Sequence, residues 1–152
     1  MKDFLSLGRM IAHVMATHYI VGCGAVVRND AGEFLLVRQM GGYWRGLWIF
    51  PGGKLEIGET LEQCARREFM EETGCDAAIK KEVGAYVSYD PHTEFEKEVV
   101  LIYFRGESAG CRPYAGEGVT DVGWFGIDRI REMAAVGQVP ELILKVALDS
   151  LS

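Results

Sequence analysis

The sequence predicts an α+β or mixed α/β protein, with helices layered on a sheet. Three observations carry this. Apolar runs of strand length bracket one strongly amphipathic segment. Turn chemistry built from Gly, Pro, Asn and Asp separates the runs. Two helical periodicities close the chain. With 152 residues, the chain is read as a single domain over 1–152, large enough for a real core. A hydrophobic share of 49% beside 25% charged residues is ordinary for a soluble globular protein.

In chain order, residues 2–15 read as a short helix. His18 to Arg28 is rich in Ile, Val and small residues and reads as a strand. Asn29-Asp30-Ala31-Gly32 is a turn, and Glu33 to Gln39 is the return strand, so the two are expected to form a hairpin. Met40 to Gly46 is a loop. Leu47-Trp48-Ile49-Phe50 is a short strand that ends at Pro51-Gly52-Gly53, where glycines are expected to turn the backbone with positive φ and approach a ligand. Beyond the central helix, Ala77 to Ser88 and Phe95 to Gly106 read as strands joined by a turn at Tyr89-Asp90-Pro91-His92. Val99 to Phe104 is nearly all apolar, as in a strand buried on both faces. Gly110 to Gly118 is a loop and Val119 to Phe125 a short strand. Ile127 to Val136 reads as a helix with Ile127, Ile130, Met133 and Ala134 inward. Pro140 opens a last helix through Leu151.

The central segment, Gly53 to Cys75, is the informative one. Thr60 to Glu72 reads as a helix, with Thr60 and Gln63 as a capping box and Gly74 as the stop. Leu61, Cys64, Ala65 and Phe69 recur at helical spacing and should face a core. Glu68 and Glu72 project from one face, with Glu71 one residue off that line. Like charges at that spacing destabilise a bare helix by about 0.2–0.5 kcal/mol. Positive charge must therefore lie close. Arg66 and Arg67 supply some of it. A hard divalent cation, which prefers carboxylate and carbonyl oxygens, would supply the rest.

In register, Gly53, Glu59, Arg67, Glu68, Glu71, Glu72 and Gly74 resemble the Nudix box, G-x5-E-x7-R-E-U-x-E-E-x-G-U with U a bulky aliphatic residue. Phe69 and Cys75 take the two U positions, an aromatic and a small side chain. Both departures concern packing. The box covers 23 of the 152 residues, and seven fixed matches make it far more specific than a lone glycine motif. The resemblance implies an α/β/α sandwich around a mixed sheet. It also implies hydrolysis of a nucleoside diphosphate linked to another group, cut within the phosphoanhydride with Mg²⁺ or Mn²⁺. Glu68 and Glu72 are then the expected metal ligands, with Glu71 either a third ligand or a residue that acts on the water. The Gly52 carbonyl is a further expected ligand. Glu59 and Arg67 are expected to pair and to hold the glutamates in place. The catalytic set is read as Glu68, Glu71 and Glu117. Glu117, in a glycine-flanked loop, is the first candidate for general base, with Glu94, Glu96 and Glu98 behind it.

Substrate selection should come from outside the box. Tyr43, Trp44, Trp48, Tyr86, Tyr89 and Tyr114 are candidate platforms for a nucleobase, and Arg38 and Arg45 candidate phosphate ligands or plain surface arginines. Pro91, 16 positions beyond Cys75, is placed as in ADP-ribose pyrophosphatases. The short chain is more like the enzymes that hydrolyse nucleoside triphosphates. Both ADP-ribose and (d)NTP stay open. The alternative is a catalytically inactive, nucleotide-binding regulatory module.

A net charge of −6 and a pI near 5.1 argue against binding nucleic-acid polymers or anionic membranes. Met10 to Val27 is interrupted by His13, Thr17, His18 and glycines, so it is not read as a membrane span. Cys23, Cys64, Cys75 and Cys111 form no C-x-x-C pair and have no histidine at zinc spacing. They read as buried small hydrophobes in a reducing compartment, from which a cytoplasmic location follows. A homodimer remains possible.

Overall fold

In a computed structural model, residues 19–89 and 98–152 are described. The helix expected over 2–15, Pro91, Glu94 and Glu96 lie outside them. The strands are β1 (Ile20–Val27), β2 (Phe34–Gln39), β3 (Trp48–Ile49), β4 (Gly52–Lys54), β5 (Ala78–Tyr89), β6 (Glu98–Glu107) and β7 (Val119–Phe125). The helices are α1 (Leu61–Thr73), α2 (Ile127–Ala135) and α3 (Glu141–Ser150).

The strands form two sheets. One is mixed, in the order β4-β1-β6-β5, and the other is antiparallel, in the order β3-β2-β7. In the mixed sheet only β1 and β6 run parallel. The expected hairpin between the first two strands is therefore corrected. The turn is present, with the Gly32 N–H donating to Asn29 O at 2.9 Å. Past a single bridge between Arg28 and Phe34, the strands part into different sheets. The physical reason is burial. Cys23 to Val27 is buried without a break, which suits a central strand flanked by two others better than one arm of an exposed ribbon.

The faces of β1 sort the layers. Cys23 joins Cys64 and Ala65 of α1 and Phe104 of β6 on one side. Ala25 and Val27 meet Phe69 on that same helix. Val26 lies in the larger cluster with Phe34, Phe50, Tyr103, Ile130 of α2 and Ile143 of α3. Helices thus cover the sheets from two sides, the layered arrangement expected. Fully burying a side chain such as Phe69 contributes about 1.5–3 kcal/mol, so the inward face of α1 fixes its position. Strand β6 is buried at Tyr103, Phe104 and Gly106 and only partly from Val99 to Ile102, so of the run read as buried on both faces only Tyr103 and Phe104 are fully buried.

The cysteines divide into two kinds. Cys23 and Cys64 are free and buried. Cys75 and Cys111, 36 residues apart, are disulfide-bonded. This corrects the reading of all four as thiols, because spacing along the chain carries no record of which distant loops meet. Disulfides persist mainly in oxidising surroundings, and the few that form in reducing ones are usually catalytic or redox-sensing. Among the described residues, no helix is long and apolar enough to cross a membrane.

Candidate active site

The site is built where β4 and α1 meet. Helix α1 begins with the expected capping box: Thr60 Oγ1 accepts from the Gln63 N–H, and the Gln63 side chain accepts from the Thr60 N–H. Such a cap is worth about 1 kcal/mol. The helix ends on Gly74 at φ 72°, where a left-handed residue closes the last turn. Gly52 and Gly53 do not turn with positive φ, contrary to expectation. They lie in β4, paired to β1. Their need for glycine is close approach instead. A Cβ on Gly52 would stand 2.7 Å from the Cys23 carbonyl oxygen, and one on Gly53 would run into the Glu68 carboxylate. Glu68 is thus seated directly against the backbone of β4.

Arg67 organises the acidic face. Its Nε donates to Glu59 Oε2 at 2.6 Å and its Nη2 to Glu59 Oε1 at 2.9 Å. Nη2 also donates to the Lys54 carbonyl at 3.0 Å. Nη1 donates to Glu68 at 2.8 Å and to Glu71 at 3.3 Å. The pairing of Glu59 with Arg67 is the one expected. Arg66 has no share in it: it forms a fork with Asp76 on the outer surface, at 2.6 and 2.7 Å. One residue along a helix is a turn of about 100°, enough to take its side chain off the acidic face. Arg67 holds Glu59 down to about 2 through its hydrogen bonds, and the Glu56 N–H helps. Glu68 moves the other way. Burial pushes it up despite the arginine beside it.

Glu72 is the contrasting member. It is 5% exposed, and its Oε2 accepts from the Gly52 N–H at 2.9 Å. Burial pushes its carboxyl up to about 8; the Gly52 N–H works against the shift and the Glu68 charge adds to it. The side chain of Gln39, at the end of β2, also favours the charged form, yet its buried Nε2 makes no full hydrogen bond. The amide nitrogen therefore stands near Glu72 without properly engaging it. Among the described residues, no group of three His, Cys, Asp or Glu side chains is gathered as a metal cluster. Arg67 Nη1 lies between Glu68 and Glu71 instead. The donors still have the right chemistry: hard oxygens, one of them a buried carboxylate whose neutralising partner is a single backbone N–H.

Beside the two glycines opens a cavity of about 310 Å³. Tyr43, Trp44, Phe50, Tyr103 and Gln39 contribute to its wall, together with Gly52 and Gly53. Tyr43 and Trp44 are expected platform residues. Phe50, Tyr103 and Gln39 were missed, because a strand's apolar run does not say which side chain borders a cavity. Arg38, Arg45 and Trp48 are not on this wall. Arg38 Nε donates to Gly46 O at 2.9 Å and braces the 40–46 loop. Arg45 is exposed. Trp48 packs edge-on against Phe125 with ring centroids 4.9 Å apart. Tyr86 donates to Asp149 at 2.7 Å, on the side of α3. Tyr89 and Tyr114 are exposed.

The loop carrying Glu117 lies on the end of α1. The N–H groups of Tyr114, Gly116 and Glu117 donate to the carbonyls of Thr73, Glu72 and Glu71 at 3.0, 2.9 and 2.8 Å. These are carbonyls that a helix end leaves without an internal partner. Glu117 is thus held one backbone bond from Glu71, with its side chain exposed. Glu98 is exposed at the start of β6.

A sequence model of the NUDIX domain matches residues 18–143. A MutT-like protein of Streptomyces ambofaciens is 32% identical, over 87% of this chain and 78% of its own. An ADP-ribose pyrophosphatase of Methanocaldococcus jannaschii is 28% identical over 77% of this chain and 68% of its own. The NAD-capped RNA hydrolase NudC of Vibrio atlanticus is 30% identical, and this chain spans only 44% of its length. Among solved structures, a MutT protein of Methanosarcina mazei superposes with a TM-score of 0.73 at 26% identity, covering 86% of this chain and 91% of that one. With Arg67, Glu68, Glu71 and Glu72 on one helix, Gly53 under Glu68 and a match over most of its length, the chain belongs to the Nudix hydrolase family.

Proposed function

We propose that the chain is a divalent-metal-dependent pyrophosphohydrolase. It cleaves the phosphoanhydride of a nucleoside diphosphate linked to another group, with ADP-ribose and (d)NTPs as the leading substrate classes. The observation that carries this reading is Glu72: a buried carboxylate beside Gly52 with no side-chain cation among its partners. Gly52, whose N–H donates to it, lines a cavity walled in part by aromatic rings.

Glu68 and Glu72 would hold Mg²⁺ or Mn²⁺, with Glu71 and the Gly52 carbonyl as further donors. A bound divalent ion supplies charge neutralisation at the phosphoryl oxygens and a water acidic enough to attack. The chain's own residues do the rest. Arg67, anchored by Glu59, fixes the acidic face and keeps Glu68 turned toward β4. Glu117 takes the proton from the attacking water as the water oxygen bonds to phosphorus and the bridging P–O bond of the anhydride breaks, its electron pair leaving with the departing phosphate. Tyr43 and Trp44 offer aromatic faces for a base on the cavity wall. The substrate is a small nucleotide, and a net charge of −6 disfavours nucleic-acid polymers. The names of the M. jannaschii enzyme and of a putative 8-oxo-dGTP diphosphatase of Bacillus subtilis, 38% identical over 45% of this chain, support the two substrate classes.

The second reading is a nucleotide-binding module that does not hydrolyse. Arg67's hold on both Glu68 and Glu71 favours it. One experiment separates the two. ADP-ribose, dinucleoside polyphosphates, nucleotide sugars, NADH and (d)NTPs are incubated with Mg²⁺, with Mn²⁺ or with EDTA, and the products are identified. Turnover that needs the metal and disappears in Glu72→Gln supports the hydrolase. Binding without turnover across the panel selects the module.

A further inference from the structure

The Cys75–Cys111 disulfide lies at the C-terminal end of the helix that carries Glu68, Glu71 and Glu72. Cys75 follows the helix stop directly, and Cys111 begins the stretch that leads to Glu117. Three consecutive helix carbonyls, from Glu71 to Thr73, are closed by backbone N–H groups of that stretch. The last turn has no basic side chain to do the same work. The fit is close. A Cβ on Gly116 would run into the Glu71 carbonyl, and a Cβ on Gly74 into the Tyr114 ring. At its far end the loop is tied to the residue that follows β2, where the Met40 N–H donates to Gly118 O at 3.1 Å. Between these ties Tyr114 and Glu117 are exposed, and no large apolar side chain of residues 112–118 is buried. Each such backbone hydrogen bond replaces one to water, so its net contribution is small. A covalent link beside them is what keeps such a segment in one place.

We propose that this disulfide is a redox-sensitive strap that seats residues 111–118 on the end of α1 and so sets the activity of the site. The proposal rests on the hydrolase reading above, because Glu117 and the ends of the Glu71 and Glu72 backbone are what the strap holds. The chemistry is thiol–disulfide exchange. A dithiol reductant attacks one sulfur, the S–S bond breaks, and the reductant leaves as its own disulfide while Cys75 and Cys111 become thiols. A small disulfide such as oxidised glutathione reverses it, taking up the two electrons as two thiols. The other two cysteines do not compete. Both are buried, and burial pushes the Cys23 thiol up to about 12 and Cys64 upward as well, which leaves almost no thiolate to react.

The test compares oxidised protein, protein reduced with dithiothreitol, and Cys111→Ser, all with Mg²⁺ and the best substrate of the panel. Amide hydrogen exchange is followed in parallel. On reduction, exchange at Tyr114, Gly116 and Glu117 should rise at least about tenfold while β1 and β6 stay protected. The specificity constant kcat/KM should fall by about tenfold or more, since a small misplacement of a catalytic group is enough for that. Cys111→Ser should match the reduced protein and ignore dithiothreitol, and oxidised glutathione should restore only the wild type. Equal activity and equal loop protection in both redox states overturn the strap. So does reduction that unfolds the whole domain, read by circular dichroism. No turnover in the oxidised protein defeats the hydrolase reading instead, while the exchange data still judge the strap.

Discussion

Two glutamates about the same helix have opposite lives. Glu59, at the start, is gripped by Arg67 through two short hydrogen bonds and is held down to about 2. Glu72, three turns on, is buried against β4 with one backbone N–H and is pushed up to about 8. The same side chain is a permanent anion in one place and a carboxyl short of positive charge in the other. The difference lies in where the arginine reaches. Arg67 covers Glu56, Glu59, Glu68 and Glu71 and does not reach Glu72. A scaffold satisfies its own charges; a site leaves one for something else to satisfy.

The largest effect should come from Glu72→Gln. Turnover with Mg²⁺ should fall by about a hundredfold or more. The metal-free fold should lose no stability, and near neutral pH it should gain some, because a neutral amide replaces a carboxyl that burial disfavours as an anion. Urea unfolding in EDTA alongside steady-state kinetics checks both halves, and a matching loss of stability would break the contrast.

Stability against pH should sharpen it. Glu72 binds its proton more tightly folded than unfolded, so its contribution is complete below about pH 4.5 and is lost as pH rises through about 8. For a mostly buried group this is of order 2–4 kcal/mol. Glu59 has the reverse sign. Its contribution is complete above about pH 4.5 and is lost as pH falls toward 2. Urea midpoints in EDTA should therefore decline on both limbs. Mg²⁺ should lift only the alkaline limb, and Glu72→Gln should flatten it.

Arg67→Met removes the shared cation and leaves Glu59, Glu68 and Glu71 facing one another. Because Arg67 is about a quarter exposed, the cost is set below that of a fully buried pair, at about 2 kcal/mol. It should show as a lower thermal midpoint together with a lower kcat. Arg67→Lys should recover part of the stability, since a point charge cannot form the fork to Glu59. The smallest effect expected is from Gly116→Ala. It lifts the loop from the Glu71 carbonyl and should cost about 1 kcal/mol, with faster amide exchange confined to residues 114–117.

Helix α1 could be read almost residue by residue from the sequence. Its cap, its stop and its buried face are local or periodic features, and each neighbour needed to recognise them lies within four positions. The pairing of Glu59 with Arg67 came from the motif and has the expected partners. Arg66 was misread because two adjacent arginines look alike until the helix turns one of them away to Asp76. The glycines before the helix were recognised as special, but for the wrong reason. Their Cβ atoms are excluded by Cys23 and Glu68, which are distant in the chain or a helix away.

What the sequence alone determined is the helix with its acidic face and the family it implies, because capping, periodicity and motif spacing are written in consecutive residues. What only the tertiary structure decided is everything that depends on which distant segments meet. It parted the first two strands into separate sheets and put Phe50, Tyr103 and Gln39 around one cavity. It also joined Cys75 to Cys111 and laid the Glu117 loop on the end of the helix. Such meetings are fixed by the packing of the whole core, and no window of neighbouring residues contains them.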